Sequence, residues 1–253
     1  MVRTRAMAAQ KTRLDERLVA DGLVESRAKA QALVMSGAVA VDGTVIDKPG
    51  TRISAEASVE LRGPASRFVS RGGEKLAGAL DDLGVDPAGL ACLDVGASTG
   101  GFTDCLLQRG AVRVFAVDVG YGQLDAKLRG DPRVGVLERV NARELQPAQI
   151  PAAIDLVVAD VAFISLRLVV PALAAVAPHA RWLLLVKPQF EVGREQVGKG
   201  GVVRDDALRA AAVDSVRGAA EGLGWRERAR VDSRVAGPKG NREVFLLLDP
   251  PVR

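Results

Sequence analysis

The chain has 253 residues, 48% hydrophobic and 26% charged, which are ordinary values for a globular protein with a sizeable core. No run of about 18 apolar residues is present to cross a membrane, and Arg3 and Arg5 have no apolar segment behind them, so a secretory leader is not expected. Cys92, Cys105 and His179 are the only cysteines and histidine, too few for a His/Cys metal site, and they fit a reducing cytoplasm better than a disulfide scaffold.

The net charge of +4 is unevenly spread. Residues 1–75 hold thirteen Lys/Arg against nine Asp/Glu, whereas residues 76–253 balance to zero. Local positive excess of this kind builds phosphate-binding surfaces. Three of the four charges fall in residues 1–12, which lack an apolar period and read as a basic tail.

Residues 13–62 read as a small α+β module. Leu14, Leu18 and Val19 recur at helical spacing until Gly22. Ser26 is placed to cap a second helix with Ala30, Leu33 and Val34 inward and Gly37 at its end. Val39 and Val41 alternate, Asp42-Gly43 signals a hairpin turn, and Val45 follows. Gly63-Pro-Ala-Ser66 opens a linker over 63–70, and a second domain is expected over 71–253.

From residue 90 onward, short Val/Leu-rich runs at 90–95, 112–117, 134–137, 154–159 and 182–186 read as buried parallel strands. Helical stretches at 102–109, 166–176 and 205–223 separate most of them, and this rhythm predicts a doubly wound, Rossmann-like sheet. The final runs, 226–235 and 243–248, are joined by Gly-Pro-Lys-Gly-Asn, too short for a crossover helix, so that pair must be antiparallel.

The first strand ends in Asp94-Val-Gly-Ala-Ser-Thr-Gly-Gly-Phe-Thr103. Its glycines allow a tight turn and close approach of a ligand at a helix N-terminus. The spacing is not that of a nicotinamide fingerprint, and an acid at the strand end suits a cationic ligand such as a sulfonium better than a pyrophosphate. Asp118 closes the second strand, where a carboxylate can bind both hydroxyls of a nucleoside ribose. Asn141, Asp160 and Lys187 follow strands three, four and five. Glu243 starts the reversed last strand, and Lys75 opens the helix before the first, so both can reach the same edge. Lys75, Asp160, Lys187 and Glu243 form a candidate set of two cations and two anions. By spacing alone the set serves either proton transfer or a structural ion-pair network.

The runs Asp94-Val-Gly-Ala-Ser-Thr-Gly-Gly-Phe-Thr, Val-Asp-Val-Gly-Tyr-Gly-Gln-Leu, Val-Ala-Asp-Val-Ala-Phe-Ile-Ser-Leu and Val-Lys-Pro-Gln-Phe-Glu-Val-Gly resemble the TlyA family, also labelled hemolysin A. That family belongs to the FtsJ-like ribose 2′-O-methyltransferases, and the resemblance spans about residues 13–248. It implies a class I methyltransferase fold with a seven-stranded, mostly parallel sheet and an antiparallel last strand, behind an S-four-like RNA-binding domain. It further implies S-adenosylmethionine as cofactor, no metal, and transfer to a cytidine 2′-hydroxyl in RNA of the small ribosomal subunit, the large one or both. The Lys-Asp-Lys-Glu tetrad of FtsJ-like enzymes maps onto Lys75, Asp160, Lys187 and Glu243. Cofactor positions map onto Asp94, Gly96, Ser98, Gly100, Asp118, Asn141 and Asp160, with Phe102, Tyr121 and Phe163 as further ring-packing candidates. RNA contacts map onto Arg13, Arg17, Arg27 and Lys29, and onto Arg71 at the end of Phe68-Val-Ser-Arg71. The rival readings are an RNA-binding protein without catalysis, a base methyltransferase on the same fold, a pseudouridine synthase and a cytolysin. The intact loop and tetrad argue against the first, and the cofactor loop against the third.

Overall fold

The structure is a computed structural model that describes residues 11–61 and 67–252. Most of the predicted basic tail (residues 1–10) and the start of the predicted linker (63–66) lie outside the described residues. The chain divides into two compact units, 1–66 and 67–253.

In the first unit, β1 (Lys11–Arg13) leads into α1 (Leu14–Ala20) and α2 (Arg27–Met35), followed by β2 (Val39–Val41), β3 (Thr44–Val45), β4 (Arg52–Ser54) and β5 (Val59–Leu61). The Ser26 hydroxyl accepts from Lys29 N at 3.3 Å and caps α2. Asp42 and Gly43 make the two-residue turn between β2 and β3. Leu14, Leu18, Ala30, Val34, Val39 and Ile53 are buried together in one small core. Lys11 and Thr12, assigned to the tail from sequence, instead pair with Ser54 and Ile53. β4 and β5 complete the unit; each has three residues and neither adjoins an Asp-Gly turn like the one that marks β2 in the sequence.

The second unit runs α3 (Arg71–Leu83), β6 (Ala91–Val95), α4 (Gly101–Gln108), β7 (Arg113–Asp118), α5 (Ala126–Arg129), β8 (Val134–Glu138), β9 (Leu156–Ala159), α6 (Val170–Val176), β10 (Arg181–Val186), α7 (Pro188–Glu191), α8 (Asp206–Glu221), β11 (Arg226–Asp232) and β12 (Val244–Asp249). Its seven strands form one sheet in the order β11-β12-β10-β9-β6-β7-β8. β12 alone runs against the others, pairing antiparallel with β10 and β11. The expected helix over 166–176 is broken. A single tight turn at Leu166–Leu168 precedes α6, and Pro171 sits in the first turn of α6, where its missing N–H costs no hydrogen bond.

Alternate strand residues feed two cores, because successive side chains point to opposite faces. Leu93, Val95, Val157, Ala159, Trp182 and Leu184 face α6 and α8. Cys92, Leu156, Val158, Leu183, Leu185 and Phe245 face α3 and α4. Coverage on both faces is why these strands read as unbroken apolar runs. The Trp182 and Trp225 rings stack at 3.9 Å, and Trp225 Nε1 donates to the Ala180 carbonyl at 3.0 Å.

The segment entering α3 is held against α4. Val69 N donates to the buried Asp104 carboxylate at 2.9 Å, and Phe68 packs over Gly73. A Cβ on Gly73 would lie 2.3 Å from the Phe68 ring. Alanine is the better helix former by about 1 kcal/mol, but overpacking costs about 1–3 kcal/mol, so the collision should win. Gly73→Ala is expected to lower the stability of the second unit in urea unfolding, whereas a gain would mean that Phe68 moves aside freely.

Candidate active site

The loop between β6 and α4 is shaped by its backbone. Gly96 has φ +86°, and a Cβ there would lie 2.5 Å from the Asp160 carbonyl oxygen. No side chain fits, so the loop crosses the end of β9 in direct contact. Ser98 also adopts the left-handed region, with φ 49°, which costs a non-glycine residue about 1 kcal/mol or more. Its N–H donates to Asp118 Oδ2 at 2.8 Å, while Gly120 N donates to Oδ1 at 2.7 Å. Charge-assisted bonds of this type offset such strain.

A cavity of about 220 Å³ opens beside this loop, bounded by Ser70, Lys75, Gly96, Ser98, Phe102 and Asp160, with Arg71 also at its wall. A narrower cleft continues from Ala97 and Ser98 along Asp118, Gln123 and Glu138. Arg71 donates to the Ala236 carbonyl at 3.1 Å, so this predicted RNA contact stands at the cavity. Gly100 caps α4 with φ 97° beneath Leu124 and Leu128. Asn141 borders neither cleft; its side chain accepts from Arg143 N at 3.1 Å.

Asp94 does not reach the cavity wall. It is fully buried, and Oδ2 accepts from the Thr103 hydroxyl on α4 at 2.6 Å. Oδ1 has no hydrogen-bond partner among the described residues. Burial pushes its pKa up to about 7; the Thr103 bond opposes this and the negative charge of Asp160 adds to it. Asp94 thus braces the loop from behind.

The four residues of the candidate tetrad come together as two ion pairs. Lys75 Nζ lies 2.5 Å from Glu243 Oε2, with Glu243 only 1% exposed. Lys187 Nζ lies 2.5 Å from Asp160 Oδ1. The pairing of Val186 with Val244 sets Lys187 and Glu243 side by side at adjoining strand ends. Asp160 N donates to the Val95 carbonyl at 2.9 Å, which fixes the end of β9 against β6. Glu243 lies under Gly237, where any Cβ would be 2.2 Å from Oε1. A lysine held by a carboxylate beside a cavity can donate to a hydroxyl oxygen, and in its neutral form can take the hydroxyl proton. Among the described residues, no group of three or more His, Cys, Asp or Glu could hold a metal ion.

Three features emerge only from the folded structure. Glu191 is buried and accepts from the Ser165 hydroxyl at 2.5 Å and Leu166 N at 2.8 Å. Asn241, also buried, accepts from Val203 N and donates to the Gly201 carbonyl. Thr103 holds Asp94. All are joined to partners distant in the chain, except for Thr103, which lay inside the glycine-rich run. Of the aromatic candidates, Phe102 is core, whereas Phe163 is 91% exposed with φ 63° and meets the Phe190 ring at 5.3 Å. Arg139 lies over the exposed Tyr121 ring at 4.3 Å.

In the first unit every predicted cation is engaged. Arg13 makes two bonds of 2.9 Å to the buried Asp15 carboxylate, which also accepts from Arg27 and Gln31. The Arg13 guanidinium, opposed by burial, holds Asp15 well below the usual carboxylate range. Arg17 pairs with Asp21 at 2.7 Å, and Lys29 with Glu25 at 3.5 Å.

The FtsJ-like methyltransferase profile matches residues 68–249, and the S4 domain profile matches residues 12–59. A protein of Mycobacterium tuberculosis (strain H37Rv) named 16S/23S rRNA (cytidine-2′-O)-methyltransferase TlyA is 51% identical, covering 95% of this chain and 90% of its own length. The chain belongs to the TlyA family of FtsJ-like methyltransferases. Hemolysin A of Brachyspira hyodysenteriae is 40% identical over 92% of this chain and 98% of its own. A solved structure from Streptococcus thermophilus, also given a hemolysin label, superposes with a TM-score of 0.75 at 40% identity, covering 96% of this chain and 90% of that one. Among the described residues no helix is long and apolar enough to cross a membrane.

The Asp94 environment carries a pH signature. The native state holds this proton up to about pH 7, whereas the unfolded chain releases it near pH 4. Between those values the native state binds more protons, so the Asp94 contribution is complete below about pH 4 and lost as pH rises through 7. Asp94→Asn has no such proton, so its melting temperature relative to the unmodified protein should climb between pH 5 and pH 8. A constant difference would show that Asp94 is ionised throughout.

Proposed function

We propose that this chain transfers a methyl group from S-adenosylmethionine to a cytidine 2′-hydroxyl in 16S ribosomal RNA, 23S ribosomal RNA or both, acting in the cytoplasm. The observation that carries the reading is the pair of contacts Lys75–Glu243 and Lys187–Asp160 at one sheet edge, beside a glycine-shaped cavity. The relative from Mycobacterium tuberculosis, named for that activity, supports it.

The residues present fit the cofactor. Asp118 uses its two oxygens on backbone N–H groups but keeps lone pairs for ribose hydroxyls. Gly96, Ser98 and Gly100 shape the loop backbone that would border the methionine portion, with Asp94 and Asn141 as outer supports. S-adenosylmethionine bound there supplies an electrophilic methyl on a sulfonium whose leaving group departs neutral, chemistry that needs no metal.

Once its ammonium has released a proton to solvent, Lys187 receives the 2′-hydroxyl proton as the oxygen attacks, and Asp160 holds Lys187 in place. Lys75 and Glu243 position the ribose, and alignment supplies much of the rate. An RNA-binding domain at 13–62 binds RNA phosphates through Arg13, Arg17, Arg27 and Lys29, and Arg71 contacts RNA at the cavity of a methyltransferase domain at 71–253. Arg13 and Arg27 share the carboxylates of Asp15 and Glu16 and keep donors free for a phosphate.

The test uses purified protein, tritiated S-adenosylmethionine and ribosomal subunits from a host lacking this enzyme. Label should be recovered as a 2′-O-methyl nucleoside. Lys187→Ala should lower kcat by about 100-fold or more while cofactor binding persists. Label on a base would discard the ribose assignment, and full activity in Lys187→Ala would discard the proton acceptor.

A further inference from the structure

The two loops that carry Asp160 and Lys187 at the sheet edge are joined to each other at three levels. At the sheet edge Lys187 Nζ meets Asp160 Oδ1 at 2.5 Å. Farther along, the Phe163 and Phe190 rings meet at 5.3 Å with an interplanar angle of 53°. At the far end, Glu191 Oε2 accepts from the Ser165 hydroxyl at 2.5 Å and Oε1 accepts from Leu166 N at 2.8 Å. Ser165 is itself fixed, since its oxygen accepts from Arg167 N at 3.2 Å and Arg167 Nε at 3.1 Å. On the other loop, Phe190 N donates to the Lys187 carbonyl and Val192 N to the Pro188 carbonyl, which makes 187–192 one rigid turn.

Glu191 is the only buried carboxylate in this pair of loops, and its side chain is 1% exposed. Burial raises its pKa above the ordinary value, opposed by the Ser165 and Leu166 bonds and by the charge of Arg167, whose Nε lies 3.8 Å from Oε2. A buried carboxylate is costly unless its oxygens are satisfied. Both are satisfied here by the opposite loop. Glu191 borders neither cleft at the cofactor loop. Phe163, between the two tied ends, holds a left-handed backbone while almost wholly exposed, a conformation that needs its surroundings to enforce it.

We propose that Glu191 is a positioning residue for methyl transfer: its buried carboxylate ties the loop after β9 to the loop after β10 and thereby sets the contact of Asp160 with Lys187. The inference rests on the reading of Lys187 and Asp160 given above. The side chain acts through the loop and does not touch the reacting atoms. Glu191→Gln keeps shape and volume but presents an amide where one of two converging donors needs an oxygen. Ser165→Ala removes one of the two bonds and leaves the Glu191 side chain itself unchanged.

In the full-length protein, Glu191→Gln should lower kcat about tenfold or more with the cofactor dissociation constant within about twofold of the unmodified protein. Amides 160–166 should exchange hydrogen faster while β9 and β10 exchange as before. Ser165→Ala should show a smaller loss in the same parameter, and the double variant should be no worse than Glu191→Gln alone, because both break one tie. Unchanged kcat in Glu191→Gln would overturn the proposal. So would additive losses in the double variant, or a kcat loss accompanied by equal loss of cofactor binding. Should the unmodified protein label no ribosomal RNA, the function falls separately. Exchange at 160–166 then decides the tie: faster exchange in Glu191→Gln upholds it, and unchanged exchange overturns it.

Discussion

Two lysines and two carboxylates at one edge of a sheet constrain everything around them. Each charge is costly to withdraw from water alone, and each pair is tolerable only at close range with its geometry enforced. The reversed strand β12 supplies that enforcement. Because β12 runs against β10, its first residues lie at the edge where the parallel strands finish. Glu243 therefore arrives beside Lys187 and within reach of Lys75 on α3. A parallel strand in that place would carry Glu243 to the opposite edge and leave Lys75 without its partner.

The cofactor loop answers to the same constraint from the other side. Gly96 passes against the carbonyl of Asp160, so the loop and the tetrad carboxylate share one backbone contact. Asp118 fixes the far side of the loop through two N–H donors, and Asp94 braces it from the core. The sequence points to both strand-end acids for the cofactor site, but the structure separates them. Asp118 borders a cleft, whereas Asp94 is enclosed and bonded to Thr103.

Much of the sheet was legible because strands buried on both faces appear as unbroken apolar runs, and the short link after 235 left room only for an antiparallel return. The strands β1, β4 and β5 are not legible because they lack the Asp-Gly turn that marks β2, itself only three residues long. The helix expected over 166–176 was shortened because the apolar spacing continues through a turn that the backbone does not continue as a helix. Asp160, Lys187 and Glu243 are legible at strand ends and Lys75 in the helix before the first strand, but their division into two pairs depends on register. Glu191 was invisible for a related reason: its partners stand 25 and 26 residues away on another loop. Nor could the sequence show that Arg13 and Arg27 converge on one buried carboxylate, since that contact joins two elements.

The central claim is that the paired charges act on a ribose hydroxyl. It is tested most directly by replacing the cytidine that the protein labels with 2′-deoxycytidine, in otherwise identical RNA assembled into the same subunit. The account predicts that binding persists and that methyl transfer at that nucleotide stops. Continued transfer there would contradict it, because no 2′-oxygen would remain to accept the methyl group.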